Sequence, residues 1–307
     1  MRYLSANEYF KEKFGEKVYK LALDGGMTCP NRDGRCGTRG CIFCSEGGSG
    51  EFAEPYDGDV AGQIFRAVRR VENKSNAKKF IAYFQNNTNT YADVGRLSEL
   101  FGAAVRQPSI VALSIGTRPD CLPNDAVALL KRLNNEKPLF VELGLQTMHE
   151  KTARYIRRGY PLEVYDDAVS KLRQAGINVI THVIIGLPGE SRSEILQTID
   201  HVGEAGSDGV KLQLLHVLKG TDLAEDYERG CFRTLGLEEY ANILCDAIER
   251  LPKSVVIHRL TGDAPKRLLI APLWSADKKK VLNYINARLE TRGVIQGNKC
   301  KIGPVPT

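Results

Sequence analysis

The sequence predicts an α/β fold in which parallel strands are joined by helical crossovers, as a barrel or an open doubly wound sheet. Two observations carry that class. Apolar strand-like runs alternate with segments whose apolar residues recur at helical spacing, and the linking loops are short. Polar residues also gather where successive strands end: Gln85-Asn86-Asn87-Thr88, Gly116-Thr117-Arg118-Pro119-Asp120, Glu142 with Gln146, and Gly186-Leu187-Pro188-Gly189-Glu190. Parallel α/β folds place their active sites at that end of the sheet. Turn chemistry explains any one of these loops. Repeated on one face, beside charges inside apolar strands, they point to a polar ligand.

The elements follow in order. Residues 1–16 read as an amphipathic lead-in with Tyr3, Leu4, Tyr9 and Phe10 as packing anchors. A strand at 17–23 delivers a cysteine-rich loop, and Val60, Ile64, Ala67, Val68 and Val71 mark a helix over 57–74. Strands are expected at 79–85, 110–115, 139–145, 178–185 and 209–215, with helices at 94–105, 124–133, 149–157, 162–175 and 191–205. Beyond 216 the alternation loosens: helices at 221–229, 237–251 and 276–289, a strand at 255–259, a loop over 261–275 and a frayed tail from Gly293.

Composition sets the bounds. With 307 residues, 42% hydrophobic and 26% charged, the chain has the balance expected of a soluble globular protein. It lacks any run of about 20 apolar residues, so no membrane partner is expected. The opening is too polar for a signal peptide, and free thiols then point to a reducing cytoplasm. A net charge of +6 permits a polyanionic partner such as RNA without requiring one.

The chemistry centres on Cys29-Pro-Asn-Arg-Asp-Gly-Arg-Cys36-Gly-Thr-Arg-Gly-Cys41-Ile-Phe-Cys44, which holds half of the eight cysteines. Thiolates crowded on a glycine-rich loop suit zinc or an iron–sulfur cluster. Four ligands would close the site, as in structural zinc or an electron carrier. Three would leave a metal position open for a substrate. Spacing alone leaves both readings standing.

Further fragments decide the direction. Thr117-Arg-Pro-Asp120, Glu142-Leu-Gly-Leu-Gln146, His182-Val-Ile-Ile-Gly-Leu-Pro-Gly189, Asp208-Gly-Val-Lys-Leu212 and Lys219-Gly-Thr221 stand in one order along the chain. With the cysteines they resemble the radical S-adenosylmethionine (SAM) superfamily, in the YhcC/YtqA-type branch related to the radical domain of the elongator catalytic subunit. The likeness runs from about residue 17 to 265.

That resemblance implies a partial (βα)6 TIM-like barrel of the radical SAM type with a C-terminal extension. The division would be a lead-in at 1–16, a core barrel at 17–216 and an extension at 217–307 packed on the barrel. It implies a [4Fe-4S] cluster held by Cys29, Cys41 and Cys44, with SAM on the fourth iron and cleavage to a 5′-deoxyadenosyl radical. The gap of eleven residues between Cys29 and Cys41 departs from the superfamily's common C-x3-C-x2-C, and Cys36 is left as a loop thiol. Phe43 would pack on adenine. Gln85, Asn86 and Asn87 replace the superfamily's Gly-Gly-Glu at the SAM amino group. Thr117, Arg118, Glu142 and Gln146 would serve the ribose and carboxylate, with Ile184 and Gly186 on the adenine side.

The implied substrate is tRNA, at C5 of the wobble uridine or on its side chain, with a flavodoxin or ferredoxin as electron donor. Arg66, Arg69, Arg70, Arg154, Arg157, Arg158 and Lys278–Lys280 are the cations available for phosphates. The alternatives are a small-molecule or protein substrate, or a non-catalytic four-cysteine metal or electron-transfer protein. His182 and His258 are read as core histidines, and Cys121, Cys231, Cys245 and Cys300 as buried thiols.

Overall fold

The computed structural model describes residues 2–48, 50–72 and 77–302. Its elements in chain order are α1 (Ala6–Phe14), β1 (Val18–Leu23), α2 (Val60–Glu72), β2 (Lys79–Phe84), α3 (Val94–Val105), β3 (Ile110–Thr117), α4 (Asn124–Glu136), β4 (Leu139–Gln146), α5 (Glu150–Tyr155), α6 (Leu162–Gln174), β5 (Asn178–Ile185), α7 (Arg192–Glu204), β6 (Gly209–Leu214), β7 (Val217–Leu218), α8 (Asp222–Glu228), α9 (Leu237–Arg250), β8 (Val256–Arg259), β9 (Leu269–Ala271) and α10 (Lys278–Thr291).

One sheet runs β1-β2-β3-β4-β5-β6-β8, and every neighbouring pair is parallel. The sheet is curled. Lys211 on β6 donates to the Tyr83 hydroxyl on β2 at 3.0 Å, and Lys20 on β1 reaches Glu142 on β4 at 2.7 Å. Strands so far apart in the sheet touch only when it closes on itself. The result is a half-barrel of seven strands, β8 adding one to the six expected.

The register sorts the residues. Tyr83 pairs with Ser114, Gly116 with Glu142, Gly144 with His182, and His182 with Lys211, so these side chains share the concave face. Residues of opposite parity, such as Phe84, Leu113, Val141, Val179 and Leu212, lie buried in the main core, which the helices share. On the concave side a small apolar cluster of Phe10, Ile81, Ala112, Phe140 and Ile180 forms a floor. Helix α1 brings Phe10 there, its ring centroid 5.5 Å from that of Phe140. The helix begins on a capping box, in which Ser5 and Glu8 satisfy each other's backbone N–H groups.

Two expectations beyond residue 260 are corrected. The predicted loop at 261–275 contains β9, which pairs antiparallel with β7. The tail from Gly293 is not frayed up to residue 302: Val294 is buried, and Gln296 accepts from the Leu4 N–H and donates to the Pro252 and Val255 carbonyls at 2.7 and 2.8 Å. Neither docking leaves a periodic signal, because each segment is held by contacts to residues far along the chain and not by a repeating apolar face. The tail beyond 302 lies outside the described residues. Among the described residues no helix is long and apolar enough to cross a membrane.

Candidate active site

The cysteine loop follows β1 and sits over the carboxyl ends of the strands. Cys29, Cys41 and Cys44 line one cavity of about 1050 Å³, whereas Cys36 is exposed and lies off its wall. Main-chain bonds hold the loop: Arg32 N–H to Cys29 O at 2.8 Å, Cys44 N–H to Cys41 O at 3.0 Å and Gly40 N–H to Asn31 O at 2.7 Å. The buried Asn31 amide donates to the Arg157 carbonyl at 2.7 Å and to the Cys41 sulfur at 3.3 Å. A hydrogen bond from Cys44 brings the Cys41 thiol down to about 7 against the effect of burial, with Asn31, Arg118 and Arg32 helping. Helix α8 clamps the loop from outside, through Arg39 to Asp222 at 2.6 Å and Leu223 N–H to Ile42 O at 3.0 Å. Among the described residues no three His, Cys, Asp or Glu side chains converge closely enough to hold a single metal ion.

The strand ends form the rim. Phe43, Gln85, Asn87, Thr117, Arg118, Gln146 and Ile184 all line the cavity. Thr117 shares a hydrogen bond with Thr90 at 2.5 Å. Arg118 is held in a fork by Asp120, at 2.9 and 2.8 Å, and lies 5.0 Å over the Tyr160 ring. Gln146 has a left-handed backbone (φ 66°), and its buried Oε1 has no hydrogen-bond partner. Its amide packs against Gly144, where a Cβ would stand 2.9 Å from the Gln146 amide nitrogen. That unanswered acceptor and the three thiols on one cavity wall fit a cofactor carrying amino and hydroxyl groups. Asn86 and Gly186 are off the wall. Asn86 packs under Gly48 and Gly50, and Gly186 is a turn (φ 94°) whose absent side chain leaves room for Leu235.

Deeper, between rim and floor, lies a polar ring. Glu142 is its centre. Its Oε1 accepts from Lys20 at 2.7 Å and from Ser114 at 2.6 Å, while Oε2 meets His182 at 2.7 Å and the Lys211 ammonium. Lys211 also stands 4.3 Å from the Tyr83 ring centroid, and Gln213 contacts His182 Nδ1 at 3.4 Å. Burial opposes ionisation of Glu142, but Lys20, Lys211 and His182 outweigh it and hold the carboxyl well below its ordinary range. Burial pushes Lys211 down to about 7, with Glu142 resisting, and pushes His182 down to about 4. In the close Lys211–Glu142 pair the surrounding cations favour the ionised carboxylate, while burial disfavours the ammonium against the pull of Glu142.

Lys20, Tyr83, Ser114, His182, Lys211 and Gln213 were not among the candidates from sequence. The usable signal was a polar residue at one parity in each of six apolar strands. His182 and His258, expected as core residues, stand on the cavity wall. Glu142 and Arg118 do not pair with one another, since each has other partners. The arginines proposed for phosphates are mostly engaged: Arg66 with Glu54 and Asp57, Arg70 with Glu54, Arg69 with Glu72, Arg157 with Asp222, and buried Arg158 with Glu150. Cys231 is exposed rather than buried, and Cys300 is half-buried.

Comparison with known proteins meets this geometry. The family model for the Radical SAM superfamily matches residues 33–202, a range that begins after Cys29, and the Radical_SAM C-terminal domain matches 207–291. The uncharacterized protein YtqA of Bacillus subtilis is 45% identical over 296 residues, 96% of this chain and 92% of YtqA. A tRNA uridine(34) acetyltransferase of Methanocaldococcus jannaschii is 28% identical over 194 residues, 62% of this chain but only 34% of that protein. The solved structure of Methanocaldococcus infernus Elp3, with its N-terminus deleted, superposes with a TM-score of 0.69 at 19% identity. It covers 91% of this chain and 64% of that one, a likeness of fold. With more than half its length matched by the family model and a relative aligned nearly end to end, the chain belongs to the radical SAM superfamily.

Proposed function

We propose that the chain is a radical SAM enzyme that modifies the wobble uridine of tRNA, at C5 or on its side chain. The observation that carries the enzymatic part is the common cavity. Cys29, Cys41 and Cys44, the strand-end rim and the polar ring all open onto it, so a cofactor at the thiols would face a substrate held below or beside it. In this reading the three thiols hold a [4Fe-4S] cluster. Cys36 stays outside, as its exposure and position favour. Phe43, Gln85, Asn87, Thr117, Arg118, Gln146 and Ile184 line the SAM site, with Asn86 and Gly186 supporting its walls. When bound, the cluster and SAM supply an electron and then a carbon radical that takes a hydrogen atom from the substrate.

The protein's own part is binding and exclusion. Gln146 offers a fixed acceptor to an amino or hydroxyl group, and Arg118, oriented by Asp120, offers charge to a carboxylate. Glu142 stays with the ring, below the rim to which the resemblance assigned it. At its far end the cavity meets the apolar floor that Phe10 of α1 completes. For tRNA the support is the distant relative named for uridine(34), together with a positive net charge. Residence in the cytoplasm and a flavodoxin or ferredoxin donor belong to the same reading.

The test has two arms. The anaerobically reconstituted protein is assayed for iron, sulfide and reductive SAM cleavage to 5′-deoxyadenosine; its absence in a fully loaded protein refutes the enzymatic reading. Nucleoside analysis of tRNA from a deletion strain should then show one wobble-uridine modification lost or its precursor accumulating. An unchanged profile removes tRNA and leaves a small molecule or protein as substrate.

A further inference from the structure

The polar ring is not needed to fill the barrel. One layer below, the same concave face is packed with Phe10, Ile81, Ala112, Phe140 and Ile180. Burying a carboxylate with two ammonium groups costs desolvation that such a layer avoids. Nor is the ring sealed: Lys20, His182 and Lys211 all line the cavity, and their side chains keep 22%, 18% and 6% exposure, while Glu142 has none. Its members come from six adjacent strands, with Lys211 and Gln213 both on β6, so the register fixes their positions.

We infer that this ring is a proton-transfer site for the substrate, with the Lys211 ammonium as the acid. It rests on the reading of the cavity as the enzyme's active site. The N–H bond of Lys211 breaks with its electron pair left on Nζ, and the proton bonds to a substrate oxygen or nitrogen made basic by the reaction. A proton from bulk solvent, passed along water in the cavity, then restores the ammonium, so the net proton delivered to the substrate comes from solvent. No oxidant or reductant enters this step.

The neighbours leave Lys211 as the group that changes charge near neutrality. Glu142 on β4 faces it ionised. Burial and the carboxylate raise the Tyr83 phenol on β2 well above its ordinary value, so it stays neutral. Burial likewise keeps His182 on β5 and His258 on β8 neutral. Lys20 on β1 and Arg259 on β8 add positive charge, which acts on Lys211 in the same direction as burial.

Two measurements test it. In the full chain with 13C-labelled lysine side chains, one resonance should titrate near neutral pH, vanish in Lys211→Arg and move to lower pH in Glu142→Gln. A Lys211 resonance titrating with the ordinary lysines overturns the inference. In the loaded enzyme with SAM and tRNA from the deletion strain, Lys211→Arg keeps the charge but not the labile proton. Product should fall about 100-fold, with iron content and SAM affinity retained. Full turnover in that variant, or loss of iron or SAM affinity, overturns it by making Lys211 a fixed charge or a strut. If the wild-type enzyme makes no product from this tRNA, the tRNA reading has failed, and the lysine titration still decides the role of Lys211.

Discussion

The cysteine loop and the polar ring face one cavity and are built in opposite ways. The loop is made of turns, glycines and main-chain hydrogen bonds among residues close in sequence, and its rim keeps an acceptor, Gln146 Oε1, without a partner. The ring is made of single side chains from separate strands, and the two oxygens of Glu142 are already occupied by four groups. A site awaiting a ligand leaves polar atoms unanswered. A site that holds charge in place answers them from within and relies on rigid strands to do so. Substitutions in the loop should therefore cost function without cost to the fold, and substitutions that remove a charge from the ring should cost both.

The largest effect tests the loop. Cys41→Ser should abolish both the iron–sulfur content and SAM cleavage, whereas Cys36→Ser should retain both, because Cys36 lies off the cavity wall. Iron, sulfide and 5′-deoxyadenosine assays read the result, and a lost cluster in Cys36→Ser would put the fourth thiol in the site. Circular dichroism should show either variant folded.

The ring should break differently. Glu142→Ala leaves Lys20 and Lys211 without their carboxylate and should lower stability by about 3–5 kcal/mol, seen as an earlier urea midpoint with unchanged slope. The stability of the wild-type chain should have two rising limbs with pH. The Glu142 carboxyl is held below its ordinary value, so its contribution is complete above about pH 4.3 and is lost as acid protonates it. Lys211 sits at about 7 in the folded chain. An unfolded lysine at about 10.4 binds more protons across that interval, so stability should rise with pH there. A wild-type stability profile flat in both intervals would refute the charged ring.

Smaller effects sharpen the rim. Gln146→Ala should weaken SAM binding on the order of tenfold, about one hydrogen bond, by calorimetry on the loaded protein. Arg118→Ala should cost a similar factor with the cluster intact, but it also releases Asp120, so Arg118→Lys is the cleaner partner experiment. The smallest effect concerns tRNA. Because Arg66 and Arg70 are tied to Glu54 and Asp57, replacing both with Gln should barely change the slope of tRNA affinity against salt. A slope reduced by about two would show that phosphates displace those carboxylates.

The loop was legible because its information is local. Four cysteines within one stretch, a C-x-x-C pair and interposed glycines declare thiolate chemistry in any setting, and strand–helix alternation declares a parallel sheet. Even the polar strand ends pointed to the rim, since a parallel strand's last residues all emerge on one side. What the sequence by itself determined, then, was the class of fold, the end of the sheet where the polar strand ends gather and the crowding of thiols on one loop. The tertiary structure alone decided that β8 joins the sheet and that residues 293–302 dock against the body. It also decided that Arg118 belongs to Asp120, and that Lys20, Tyr83, Glu142, His182 and Lys211 form one network. The reason is distance along the chain. Lys20 and Glu142 are 122 residues apart, and Tyr83 and Lys211 are 128 apart. A lone charge in an apolar strand has no visible partner until the sheet curls and the register brings five strands' inward positions together.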